Sequence, residues 1–208
     1  MTPDDARLHG LHAHHALHSP GWLPRRALLA AAGMATLLPP ARASDAVRDL
    51  LRRGGVVIAL RHALAPGTFD PEGFRLEDCS TQRNLNDEGR DQARRIGAWF
   101  QAQALQPARV RTSPWCRCVD TAHLAFGRSE PWMALASPTR GDSRERGQRV
   151  EELQRTLAAV PAGRFEAWVT HQFVLQDLAA SSVSSAEALV LQATAGSGVA
   201  VLARATLY

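Results

Sequence analysis

All 24 basic side chains of this 208-residue chain are arginines, so a P-loop lysine, a Schiff-base lysine and a lysine general base are excluded together. With 45% hydrophobic and 21% charged residues, the composition suits one globular domain rather than wholesale disorder. A net charge of +4 comes with no basic stripe and no base-stacking module, which gives no case for a nucleic-acid partner.

Residues 1–43 read as an export signal and residues 44–208 as the folded domain. Paired Arg25-Arg26 precede an apolar run from Ala27 to Leu38, followed by Pro39-Pro40 and the small-x-small site Ala41-Arg42-Ala43. This arrangement resembles a twin-arginine leader and places the mature protein in the periplasm. The run is well short of the roughly 20 apolar residues that span a bilayer, so cleavage, with no stable membrane span afterwards, is preferred over a retained anchor. The histidines at 9, 12, 14, 15 and 18 could attract a metal, but they leave with the leader. Cleavage removes Arg7, Arg25, Arg26 and Arg42 with Asp4 and Asp5, lowering the net charge from +4 to +2 (24−4 against 20−2).

In the mature part, Gly55 to Leu60 is an apolar run of strand length that delivers Arg61-His62 to the strand's carboxyl end. A polar loop with Gly and Pro runs from Ala65 to Leu85. Asn86 then caps a helix with apolar positions Ala93, Ile96, Gly97, Phe100 and Ala104. Arg109 to Thr112 is a short strand. Ser113 as N-cap and Pro114 as first helical residue open a second helix that carries Arg117 near a helix mouth suited to an anion. Ser137 to Gly147 reads as a loop, and about 148–159 as a helix with Val150, Leu153, Leu157 and Val160 on one face. Phe165 to Thr170 is a strand ending at His171. Ser181 to Ser185 is a flexible connection before two last strands near 188–191 and 198–203, which can pair as a hairpin. Alternating strands and helices predict an α/β layer fold.

The three cysteines all lie in the mature part. Cys116 and Cys118, two apart near a helix start, point to different sides, so at most one of them meets Cys79. One bridge and one free thiol compete with three reduced buried thiols; a metal site lacks a standard spacing.

Four side chains carry the chemistry: Arg61, His62, Arg117 and His171. Two guanidiniums and two imidazoles are what a phosphoryl dianion requires, with one imidazole as nucleophile and the other groups holding the transition-state charge. Taken singly, each has a bland alternative as a satisfied core histidine or a solvated arginine; together, at successive strand ends, they point to phosphate chemistry. His123 reads as helix surface.

These motifs, with Leu85-Asn86-x-Glu88-Gly89-x-x-Gln92-Ala93, Thr112-Ser113-Pro114 and Thr121-Ala122, resemble the histidine phosphatase superfamily, smaller branch (branch 1). The resemblance covers essentially the whole mature chain. It implies a phosphoglycerate mutase-like three-layer α/β/α sandwich with a mostly parallel central sheet. It also implies that His62 becomes phosphohistidine while Arg61, Arg117 and His171 bind the phosphoryl group, with no metal or organic cofactor. The expected partner is a small phosphorylated substrate or phosphate; oligomeric state is not legible.

Two departures stand out. The family's usual glycine after Arg-His is Ala63, and Gln172 occupies a position where one branch carries an acid. Asp142 and Glu145 are the candidate general acids, with Asp70 and Glu72 in reserve. Physically, His62 must present a neutral nitrogen, its tautomer fixed by a backbone carbonyl of the following loop, whereas His171 is better suited as a cation. Arg75 and Arg83 are possible contacts to an acidic substrate, although loop arginines are more often solvated. The expected activity is hydrolysis of a phosphomonoester or related phosphoryl donor. The alternatives are a non-catalytic phospholigand-binding protein and an envelope interaction protein of inherited fold.

Overall fold

The computed structural model describes residues 40–138, 143–196 and 198–208. The leader's paired arginines, apolar run and histidine cluster lie outside the described residues, as does Asp142.

Among the described residues the first element is a helix that the sequence pattern did not announce, α1 (Pro40–Arg53), followed by β1 (Val56–Arg61). Its apolar face is short, with Val47 and Leu51 buried one turn apart and Leu50 packed beside them, which explains why periodicity overlooked it. The remaining α-helices and strands described are α2 (Asp87–Ala102), β2 (Arg109–Thr112), α3 (Cys116–Phe126), the two-residue β3 (Glu130–Pro131), α4 (Ser143–Ala158), β4 (Phe165–Thr170), α5 (Gln172–Ala179), β5 (Glu187–Ala193) and β6 (Val199–Thr206), with short 3-10 turns at Cys79–Thr81 and Met133–Leu135.

The strands form one sheet in the order β3-β2-β4-β1-β5-β6. Its first four members run parallel, and β5 and β6 close it as an antiparallel hairpin. Alternate residues feed two cores. Val56, Ile58 and Leu60 of β1 join Val47 and Leu51 of α1, Ile96 and Phe100 of α2 and Ala122 of α3. Val57 and Ala59 join Leu153 and Leu157 of α4 and Val174, Leu175 and Leu178 of α5. A strand buried on both faces reads as a continuous apolar run, which is why β1 and β4 stood out. The result is the expected α/β/α sandwich with a mostly parallel sheet.

Two helix boundaries differ from expectation. Helix α4 starts at Ser143, inside the expected loop, because its first two turns are charged surface carrying no apolar period; Glu145 and Arg149 pair there one turn apart. Helix α3 starts at Cys116 with Trp115 as N-cap, not at Pro114, because the Ser113 hydroxyl faces His171. Between α5 and β5, the expected flexible connection is pinned at buried Val183, whose N–H donates to Gln172 Oε1 and whose carbonyl accepts from Arg61. No described helix is long and apolar enough to cross a membrane.

Candidate active site

Because β1, β2 and β4 are parallel and adjacent, their carboxyl ends share one edge of the sheet, the usual ligand edge of an open α/β sheet. Arg61 is the last residue of β1, His62 follows it, and His171 follows β4. Arg117 enters from the first turn of α3, four residues beyond Ser113, where the chain leaves β2.

His62 is 2% exposed and His171 and Arg117 are each 3% exposed. The two imidazoles meet edge to face with centroids 5.4 Å apart. His62 Nδ1 lies 2.8 Å from the carbonyl of Ala63, an acceptor only, so Nδ1 carries the proton and Nε2 keeps its lone pair. This is the tautomer lock expected from sequence. Burial, opposed by that hydrogen bond and reinforced by Arg117, Arg83 and Arg61, lowers the His62 pKa to about 3.

The second imidazole is also held neutral. Burial, then Arg117, His62, Arg83 and Arg61, push His171 well below its ordinary value, which corrects the expectation of a cation. Its Nε2 lies 2.7 Å from Ser113 Oγ and its Nδ1 3.5 Å from an Arg117 terminal nitrogen. A guanidinium can only donate, so Nδ1 accepts and Nε2–H donates to Ser113. A phosphoryl dianion brought to this ring would favour its protonation. Cys118 sits beneath it, with Sγ 3.5 Å from Nε2. Burial pushes this thiol up to about 12, so it is no nucleophile.

The loop after β1 builds the opposite wall. Asp70 accepts from both terminal nitrogens of Arg117 (2.8 and 3.2 Å), from the peptide N–H of Arg83 (3.0 Å) and from the Trp115 indole (3.0 Å). Burial alone would raise its pKa, but these donors outweigh it and hold Asp70 below the usual carboxylate range. A carboxylate so engaged orients Arg117 and is a poor proton donor, which removes Asp70 from the reserve acids. Glu72 is exposed. Glu145 is also exposed and pairs with Arg149. Arg75 pairs with Asp78 inside its own loop, so it serves loop structure. Arg83 is half-buried and donates to the carbonyl of Ala65.

The motif residues now have physical roles. The Asn86 side chain caps α2 by accepting from Gly89 N–H at 2.9 Å, and Gln92 Oε1 accepts from Leu64 N–H at 2.9 Å. Gly89 is required by close approach, since a Cβ there would lie 2.1 Å from the Leu64 carbonyl oxygen. Thr121 Oγ1 accepts from Ala63 N–H and donates to the Arg117 carbonyl, joining the loop after β1 to α3. Ala63 is not among the positive-φ residues, so its replacement of glycine is free of strain. A disulfide joins Cys79 to Cys116, and Cys118 is the free, buried thiol. Gln82 adds to this staple by accepting from Cys116 N–H at 3.0 Å. Asp70 and Ser113 are the site residues whose roles sequence reading missed. The only signal for Ser113 was its place in the Thr-Ser-Pro motif.

Residues 57–136 match the family described as histidine phosphatase superfamily (branch 1). Among solved structures, the protein of open reading frame Rv3214 from Mycobacterium tuberculosis is 18% identical with a TM-score of 0.57, over 74% of this chain and 98% of that one. The alpha-ribazole phosphatase of Shigella flexneri is 14% identical with a TM-score of 0.53, over 71% and 95%. Mycobacterial glucosyl-3-phosphoglycerate phosphatase is 14% identical with a TM-score of 0.54, over 75% and 100%. Comparison with curated proteins finds no match. The matched segment resembles the histidine phosphatase superfamily, branch 1, and the solved structures share the fold of the domain.

Proposed function

We propose that the protein hydrolyses a phosphomonoester, or a related phosphoryl donor, through a phosphohistidine on His62. The observation that carries this reading is the pair of buried neutral imidazoles at 5.4 Å, one with its tautomer locked, against the guanidinium of Arg117. The His62 Nε2 lone pair forms the N–P bond as the ester P–O bond breaks and its electron pair leaves on oxygen. Arg61, Arg117 and His171 hold the charge on the three other oxygens. Water then attacks phosphorus, the N–P bond breaks, and the lone pair returns to His62 as phosphate departs.

Asp142 and Glu145 remain the candidate acids for the leaving oxygen. Exchanging each for its amide should slow alkyl phosphates and spare activated aryl phosphates if it serves; equal rates on both substrates would dismiss it. A second reading, a non-catalytic phospholigand-binding protein, is favoured by one fact: Asp70, the carboxylate paired with Arg117, is fully engaged by its donors. We also propose export by the twin-arginine route and a periplasmic location, with Ser44 as mature amino terminus. Ser44 Oγ already accepts from the Trp99 indole at 2.7 Å, a contact that cleavage at this point retains. An amino terminus found elsewhere in the envelope fraction would overturn the cleavage site.

Turnover of an aryl phosphate, measured beside His62→Ala with alkaline-stable phosphate labelling, decides between the two readings. The covalent reading expects a loss of at least about 10³-fold and no label in the variant. Phosphate binding without turnover or label in the parent protein would establish the binding reading.

A further inference from the structure

A third guanidinium belongs to the same pocket. Arg83 is tied into it through its backbone: its N–H donates to Asp70, and its carbonyl accepts from Arg117 at 3.4 Å. Its side chain turns back to the carbonyl of Ala65, three residues beyond His62, and its Cδ lies 3.2 Å from where a Cβ on Gly67 would be. Its Nε is buried without a hydrogen-bond partner among the described residues, as are the Nε atoms of Arg61 and Arg117. Buried N–H groups of three arginines left unpaired around one histidine pair are donors for an anion.

The charge count gives this arrangement its meaning. Asp70 accepts from both terminal nitrogens of Arg117 and so offsets that positive charge within the pocket. Arg61, its guanidinium on the Val183 carbonyl, would then face a dianion with a single net charge. Arg83 returns the second one. We propose that Arg83 is a phosphate-binding residue that restores the charge Asp70 cancels, tuning the pocket to a doubly charged phosphoryl group, as in a phosphomonoester, over a singly charged diester. This rests on the reading of the His62 pocket as a phosphoryl site. The same three arginines act electrostatically on both imidazoles, so the charge of Arg83 is felt at the site.

Calorimetric binding of inorganic phosphate at about pH 8, where it is mainly a dianion, and of dimethyl phosphate, a monoanion, tests the idea. Arg83→Gln should weaken phosphate binding about 10- to 100-fold and dimethyl phosphate binding much less, while Arg83→Lys should recover most of the loss. A purely structural arginine would not be rescued by lysine and would not separate the two anions. In the unmodified protein, phosphate should shift the Arg83 Nε–H resonance together with those of Arg61 and Arg117, a measurement independent of whether Arg83→Gln folds. Phosphate affinity within about two-fold of the parent in folded Arg83→Gln, or an unmoved Arg83 resonance, would overturn the assignment. If Arg61→Gln also leaves phosphate binding intact, the phosphoryl site itself is wrong; if Arg61→Gln abolishes binding and Arg83→Gln does not, only the role of Arg83 falls.

Discussion

Two segments leave the carboxyl edge of the sheet carrying acidic residues, and they are built in opposite ways. The loop between β1 and α2 is fixed by the Cys79–Cys116 disulfide, by Gln82, and by the four donors that converge on Asp70. Helix α4 buries only Leu153 and Leu157, and its first turn shows Glu145 to solvent. On the proposed mechanism, the difference separates two tasks. Holding a charged phosphoryl group calls for donors already in place, so that little reorganisation accompanies the reaction. A proton for the leaving oxygen asks only for a carboxyl that can reach the ester.

The contrast predicts graded effects. His62→Ala, at the centre of the fixed wall, should abolish turnover and labelling together. Asp70→Asn should destabilise the fold by about 3–5 kcal/mol in denaturant titration, because Arg117 is left buried without its anion; a loss under about 1 kcal/mol would mean that the wall does not depend on this pair. Cys79→Ser should cost about 4 kcal/mol by loop entropy for a bridge spanning 37 residues, with weaker phosphate binding because Arg117 neighbours the bridged Cys116. Unchanged phosphate affinity in that variant would show that Asp70 positions Arg117 without the staple.

Acid should act next. In the unfolded chain His62 titrates near 6.5, and in the fold near 3. The unfolded state therefore binds more protons between these values, and stability is complete above about 6.5 and falls as pH drops toward 3. The slope should reach about 1.4 kcal/mol per pH unit for each buried histidine. His62→Gln should flatten it, and an unaltered slope would assign the acid lability elsewhere. The smallest effect belongs to Arg75→Ala: its charge is paired on the exposed side of the loop with Asp78, so phosphate affinity should stay within about two-fold by calorimetry.

Much of this was legible because the informative strands are buried on both faces. Gly55 to Leu60 reads as an apolar run and Phe165 to Thr170 as a strand, and the residues just beyond them, Arg61-His62 and His171, were found with them. What escaped depends on long-range contacts. Asp70 meets Arg117 across 47 positions and Ser113 meets His171 across 58, and no local period encodes either. The cationic state expected of His171 failed for a related reason, since burial beside three arginines is a property of the folded site alone. The start of α4 and the whole of α1 escaped because helices with a narrow apolar stripe announce themselves weakly.

Cys118 sits two positions from a bridged cysteine, an arrangement that ordinarily invites scrambling, because a neighbouring thiolate can attack the bridge and exchange partners. Here the fold withholds the reagent: the sulfur is sealed under His171 and donates toward the Thr170 carbonyl, so at neutral pH its thiolate is vanishingly rare. Native pairing is self-protecting once the core has closed, and any competition between Cys79–Cys116 and Cys79–Cys118 is confined to chains still open. A disulfide isomerase would matter to this protein during its maturation and not afterwards.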